Sequence, residues 1–172
     1  MIKVSTSILT CNNRIQATEK LNKTNTDYIH IMAENPEPII QELKGLNIEY
    51  ITIHYEINKP LDKIINLIHN QGYKCGISIK PKTNPKNIIE YLKKIDLVLI
   101  MSVEPGKGGQ KFIPDVLNKI KELKQNNLII EIDGGINDTN IEELKNIVDI
   151  VVVGSYITNS SDYNKQINNL KN

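Results

Sequence analysis

Short, strongly apolar runs alternate along this chain with segments whose apolar residues fall three and four positions apart. The runs Lys3–Leu9, Tyr28–Met32, Tyr50–His54, Lys74–Ile79, Leu97–Val103, Leu128–Ile132 and Ile150–Val153 read as strands. Their near-continuous Ile, Leu and Val content suits strands buried on both faces. Between them, Leu61, Ile64, Ile65 and Ile68 make one helical face, and Val116, Leu117, Ile120 and Leu123 make another. Pro36, Pro60, Pro85 and Pro114 stand near helix starts, where a missing N–H costs little. Strict alternation with short connections predicts a parallel sheet with right-handed crossovers.

Three of the predicted strands run straight into glycine-bearing turns. These are Pro105-Gly106-Lys107-Gly108-Gly109-Gln110, Asp133-Gly134-Gly135 and Gly154-Ser155, each followed by a segment of helical periodicity. All three therefore open at the same end of consecutive strand–helix units. Glycine lets backbone N–H groups approach an anion, and the helix N-termini beyond favour negative charge. Together the turns predict a phosphate grip, with Asp133 beside it for chemistry. An open doubly wound sheet carries its glycine fingerprint after the first strand, where this chain has Thr10-Cys11-Asn12-Asn13. Phosphate held by late strand–helix loops is the habit of the (βα) barrel. The expected fold is thus α/β, a TIM-type (βα) barrel shortened to about seven strand–helix units. Such a sheet closes with seven strands, stays open at a seam, or covers the gap by forming a homo-oligomer.

Composition narrows the rest. With 172 residues and neither a linker nor a low-complexity tract, a single barrel domain over residues 1–172 is expected. A net charge of +1, from 21 basic and 20 acidic residues, supplies no field that draws nucleic acid or a membrane surface. Aromatic residues are only 5% of the chain, so the core must be aliphatic. Met1–Ser5 lacks the apolar core of a signal peptide, and no apolar run approaches the ~20 residues a bilayer span needs. Cys11 and Cys75 have no metal-ligand spacing and read as free thiols in a reducing, cytoplasmic setting.

From Lys74 onward the chain resembles the ribulose-phosphate 3-epimerase family. The segments that carry the likeness are Gly76-Ile77-Ser78-Ile79-Lys80-Pro81, Leu99 through Phe112, Glu131-Ile132-Asp133-Gly134-Gly135-Ile136 and Val153-Gly154-Ser155, in the family's order and spacing. Ser5-Thr6-Ser7-Ile8-Leu9 is similar to its first strand. The middle departs from the pattern. Asp27-Tyr28-Ile29-His30-Ile31 begins like the family's second strand, yet His30-Ile31-Met32-Ala33-Glu34-Asn35-Pro36-Glu37 continues like its third. An internal deletion that fuses the two strands accounts for both halves, and it leaves the family's second-strand Asp without a counterpart.

The resemblance implies interconversion of D-ribulose 5-phosphate and D-xylulose 5-phosphate, in pentose phosphate metabolism. It assigns Asp133 as the retained acid–base residue and metal ligand, and His30 as a metal or substrate ligand. Ser7 would touch the sugar. Gly106, Lys107, Gly108, Gly109, Gly134, Gly135, Gly154 and Ser155 would cradle the phosphate and neighbouring hydroxyls, with Lys107 in place of the family's usual Phe. A divalent metal (Zn, Fe, Mn or Co) is implied as cofactor, at an affinity lowered by the missing ligands. The alternative is a sugar-phosphate-binding pseudoenzyme that keeps the grip and has lost inversion.

Each assignment competes with a plainer one. Asp133 would otherwise cap a helix in the Asn137–Ile147 region, and His30 would be a satisfied core histidine. His54 reads as structural or as a supporting residue, and His69 as an exposed helix residue. Glu34 and Glu56 lie just past strand ends and Glu104 in the loop after the sixth-strand signature; each is a candidate to stand in for the missing acid, with a solvated loop acid as the plainer reading.

Overall fold

The computed structural model describes residues 3–6, 28–106, 109–124 and 127–153. Seven strands form one parallel sheet: β1 (Lys3–Thr6), β2 (Tyr28–Ile31), β3 (Tyr50–His54), β4 (Lys74–Ile79), β5 (Leu97–Met101), β6 (Ile129–Asp133) and β7 (Ile150–Val153). The helices are α1 (Glu37–Glu42), α2 (Leu61–Asn70), α3 (Leu117–Leu123) and α4 (Ile141–Leu144), and a 3₁₀ segment spans Pro85–Tyr91. The strand order is β1-β7-β6-β5-β4-β3-β2. Sequential strands are neighbours except that the first pairs with the last, which is the order of a barrel opened between β1 and β2. The (βα) barrel expectation with seven strands is therefore met.

Alternation along the strands explains why they are apolar throughout. Ile29, Ile31, Ile51, Ile53, Ile77, Ile79, Val98, Ile100, Ile130 and Ile132 face outward into the layer beneath the helices. Tyr28, Tyr50, Leu97, Leu99, Met101, Val103 and Ile150 cluster separately, inside the curl of the sheet. One strand thus feeds two cores with a period of two. The predicted helical face of α2 is the buried one: Leu61, Ile64, Ile65 and Ile68 all pack inward, each contributing roughly 2 kcal/mol of apolar burial. Pro60 occupies its N-cap. Cys75 is a free, buried thiol, pushed up to about 12 by burial; Cys11 lies outside the described residues.

Among the described residues no ladder joins β1 to β2. Side chains bridge that seam at the N-terminal end of the strands. Lys3 Nζ donates to Tyr28 Oη at 2.7 Å and lies 4.4 Å from the ring centroid. Tyr28 stacks on Tyr50 at 4.9 Å with the planes 4° apart. The floor of the barrel is thus plugged by two parallel phenol rings.

Several boundaries differ from the periodicity. β2 ends at Ile31, one residue short of Met32. β5 ends at Met101 and not Val103, because Ser102 turns to bond the next strand's exit. β6 starts and stops one residue later than expected, which brings Asp133 into the ladder opposite Met101 and Val152. The last described helix covers only Ile141–Leu144, with Asn140 at its N-cap, so Asp133 does not cap it. Among the described residues no helix is long and apolar enough to cross a membrane.

Candidate active site

The last residue of β6, Asp133, is buried at the rim where the strands end. Its carbonyl accepts from Ser102 N at 2.8 Å and from Ser102 Oγ at 3.0 Å, while the same hydroxyl reaches the Gly134 carbonyl at 2.6 Å. The β5 exit therefore clamps the β6 exit. Only glycine fits the two residues that follow. Gly134 has φ +120° and a Cβ there would stand 2.4 Å from Val103 Cγ2. Gly135 has φ +64° and a Cβ there would stand 2.4 Å from Phe112 N and 3.0 Å from Gln110 O. Two of the three predicted glycine turns are hence packed together. Asn140 Nδ2 closes the second by donating to Gly135 O at 2.9 Å.

Across the curl, β2 and β3 aim histidines at the same rim. His30 Nδ1 is 4.0 Å from Asp133 Oδ2, each side chain about one-tenth exposed. That is too long for a hydrogen bond, and His30 Nδ1 is buried with no partner. His30 Nε2 meets His54 Nε2 at 3.0 Å. His54 Nδ1 lies 3.3 Å from Glu56 Oε2, and Glu56 Oε1 accepts from Lys80 N at 2.8 Å and from the Thr83 hydroxyl. A chain of contacts thus runs from Glu56 through both histidines to Asp133.

Electrostatics fix the protons along that chain. Burial would raise the Glu56 carboxyl, but hydrogen bonds from His54, the Lys80 N–H and Thr83 outweigh it and pull it down to about 2. An ionised carboxylate only accepts, so His54 donates through Nδ1–H. When both rings are neutral, His54 Nε2 accepts from His30 Nε2–H and the lone pair of His30 Nδ1 faces Asp133. Burial, reinforced by His54 and opposed by Glu56, lowers His30 well below the usual histidine range, in keeping with a neutral ring. Burial pushes the Asp133 carboxyl up to about 7. Deeper in the barrel, Glu131 is raised to about 8 by burial and by Asp133, with Lys3 opposing.

A pocket of about 220 Å³ opens beside this chain, lined by Met32, Glu34, His54, Glu56, Lys80 and Pro105 among others. Of the residues the sequence picks out, His30, Asp133, Gly134 and Gly135 come together, with Gly106 at the pocket edge. Gly109 stands at φ +71° in the same loop, with open space around it. Ser7, Lys107, Gly108, Gly154 and Ser155 lie outside the described residues. His69 is exposed on α2, as its position implies, and sits 3.4 Å from Asp96.

One side chain is placed differently from its sequence reading: Glu56 is not a solvated acid but a three-partner acceptor. His54 touches His30, as a supporting residue would. The signal for His54 was the period-two alternation, which puts Tyr50, Thr52 and His54 on the interior face with His30. Among the described residues no group of three or more His, Cys, Asp or Glu is placed to hold a metal ion. The unpartnered His30 Nδ1 and the Asp133 carboxylate offer two donors, enough for a weak cation site and short of a closed one.

Comparison with known proteins agrees with this geometry. The family model for the ribulose-phosphate 3 epimerase family matches residues 7–158. The chain is 42% identical over 151 residues to ribulose-phosphate 3-epimerase of Helicobacter pylori, covering 84% of this chain and 70% of that protein. Among solved structures, KGPDC from Streptococcus mutans superposes with a TM-score of 0.69 at 10% identity, covering 92% of this chain and 74% of the other. The 3-hexulose-6-phosphate synthase of Salmonella typhimurium does so at 0.66 and 15%, covering 98% and 96%; at such identities the likeness speaks for the fold alone. With a barrel rim built around Asp133, its glycine turn and an apposed histidine, this chain belongs to the ribulose-phosphate 3-epimerase family.

Proposed function

We propose that the chain is a ribulose-phosphate 3-epimerase that interconverts D-ribulose 5-phosphate and D-xylulose 5-phosphate, working as one barrel domain in the cytoplasm. The observation that carries the reading is Asp133: a buried carboxylate, raised to about 7 by that burial, at the strand end beside a glycine turn. A base with that affinity for protons is half ionised near neutral pH, where it takes and returns a carbon-bound proton most effectively. Asp133 removes the C3 proton next to the ketone, and inversion follows when a proton returns to the opposite face of the enediolate. In this reading the returning proton comes from the side of the pocket that His54, Glu56, Glu34 and Lys80 line.

The phosphate end of the substrate goes to the late turns. Gly134 and Gly135, with Gly106 and Gly109, supply backbone without side-chain bulk, and Lys107, Gly108, Gly154 and Ser155 complete the grip, with Ser7 on the sugar. Family membership implies a divalent-metal dependence in general. Zn, Fe, Mn or Co would be taken by His30 Nδ1 and Asp133 and, when bound, supplies Lewis-acid polarisation of the ketone. With two protein donors its affinity is low.

A second reading, a sugar-phosphate binder without turnover, is favoured by one observation: the family's second-strand acid has no counterpart in the sequence. Purified protein with added metal, assayed for interconversion of the two pentulose phosphates, separates the readings. Turnover that disappears in Asp133→Asn supports the epimerase. Binding of ribulose 5-phosphate by calorimetry with no turnover supports the binder.

A further inference from the structure

We propose that Lys119, on the outer helix α3, is a positioning residue that holds Glu56 and His54 in register for the epimerase site. The inference deepens the reading above and rests on it. Lys119 Nζ reaches under the loop that follows β4 and donates to the carbonyls of Lys80 at 3.2 Å, Pro81 at 2.5 Å and Thr83 at 2.5 Å. An ammonium has three donors and no acceptor, so its capacity is spent on this one loop. The loop turns its other polar groups inward. Lys80 N and the Thr83 hydroxyl both donate to Glu56 Oε1, whose other oxygen holds His54 Nδ1 at 3.3 Å. His54 in turn meets His30 at 3.0 Å, and His30 faces Asp133.

Within the loop Thr83 N donates to Lys80 O at 3.0 Å, and Asn84 Oδ1 accepts from Lys86 N as the 3₁₀ segment begins at Pro85. To this turn one cation adds bonds to three carbonyls, on the loop whose backbone N–H and hydroxyl meet one carboxylate oxygen. Partial burial lowers the Lys119 ammonium below the usual lysine range, with Glu56 opposing. Desolvation on that scale is tolerated where carbonyls replace water. The short histidine–histidine contact needs a fixed donor and acceptor, and Glu56 sets the acceptor end by holding the His54 Nδ1–H, which leaves His54 Nε2 to face His30.

The test uses the full-length protein, with ring ¹H–¹⁵N NMR of the histidines and steady-state kinetics on ribulose 5-phosphate. Lys119→Met keeps the stem and removes the three bonds. The His54 Nδ1–H signal should broaden or vanish into solvent exchange, and kcat should fall about ten- to a hundredfold with KM changed much less. Combined with Glu56→Gln, it should cost nothing further, because both act on one path. Unchanged His54 ring signals in Lys119→Met, or losses that simply add in the double variant, overturn the proposal. Should Lys119→Met fail to fold, Thr83→Val cuts the same path nearer Glu56 and is expected to give the same His54 signature; an intact signature there overturns it. A parent protein without turnover refutes the epimerase reading, and the NMR comparison then decides this one alone.

Discussion

The late and early halves of the rim are built by different means. On the late side, from β5 to β6, the shape comes from backbone: Ser102 clamps two consecutive carbonyls, and Gly134 and Gly135 pass where a Cβ has no room. On the early side, from β2 to β4, side chains do the holding, in the run Lys119, Glu56, His54 and His30. β2, the strand whose sequence departs from the family pattern, falls on the early side. A backbone-built turn is specified by a few local residues and survives the loss of a unit elsewhere in the barrel. A side-chain network reaches across units and re-forms around whatever neighbours remain. Here His30 reaches both His54 and Asp133, so one histidine links the two halves.

The sharpest way to break the comparison is Asp133→Asn, which leaves the turn geometry and removes the base. Turnover should drop by roughly 10²–10⁴-fold with thermal unfolding little changed. In the parent protein without added metal the acid limb of kcat/KM should have its midpoint near the pH where Asp133 ionises, about 7: below it the base is protonated and activity is lost, and a bound cation should move that limb to lower pH.

Gly135→Ala probes the late side as a backbone device. The added methyl meets the Phe112 backbone at 2.4 Å with φ at +64°, and the expected loss of stability is roughly 2–4 kcal/mol, read by denaturant unfolding. A neutral result would mean that the two exits are not pinned together.

Glu56→Gln probes the early side. The folded carboxyl is depressed to about 2, so its stabilisation is present above the unfolded value near 4.5 and is lost as pH falls through 2. The variant should be less stable than the parent by about 1–3 kcal/mol at neutral pH, after allowance for its partial exposure. That gap should close between pH 4.5 and 2.

The smallest effect is expected below both halves, at Glu131. Its carboxyl is raised from 4.5 to about 8, so the native state holds the proton more tightly than the unfolded chain and stability falls as pH rises between those values. Glu131→Gln should leave Tm nearly unchanged at pH 5 and raise it by roughly 3–8 °C at pH 9.

Much of this was legible beforehand. The seven strands follow from apolar runs set between helical faces, and β3, β4 and β7 fall where the pattern puts them. Asp133 and its glycines were readable because a strand end followed by Gly-Gly is a local signal. The place of His30 near Asp133 was readable too, from its position late in a predicted strand. Glu56 and Lys119 were not. An acid after a strand looks the same whether water or three donors surround it, and only the folded chain brings Thr83 and Lys80 to it. Lys119 sits at a polar helix position, and a pattern of apolar spacing says nothing about where a long cationic side chain ends. Ser102 was visible only as part of a motif; its double clamp is a property of two adjacent strand exits.

One experiment bears most directly on the claim that this shortened barrel still inverts its substrate. Ribulose 5-phosphate is incubated with the metal-supplied protein in deuterated water, and both pentulose phosphates are recovered for NMR. The account predicts xylulose 5-phosphate carrying deuterium at C3, absent with Asp133→Asn. Label confined to recovered ribulose 5-phosphate, or no label despite measurable binding, contradicts it.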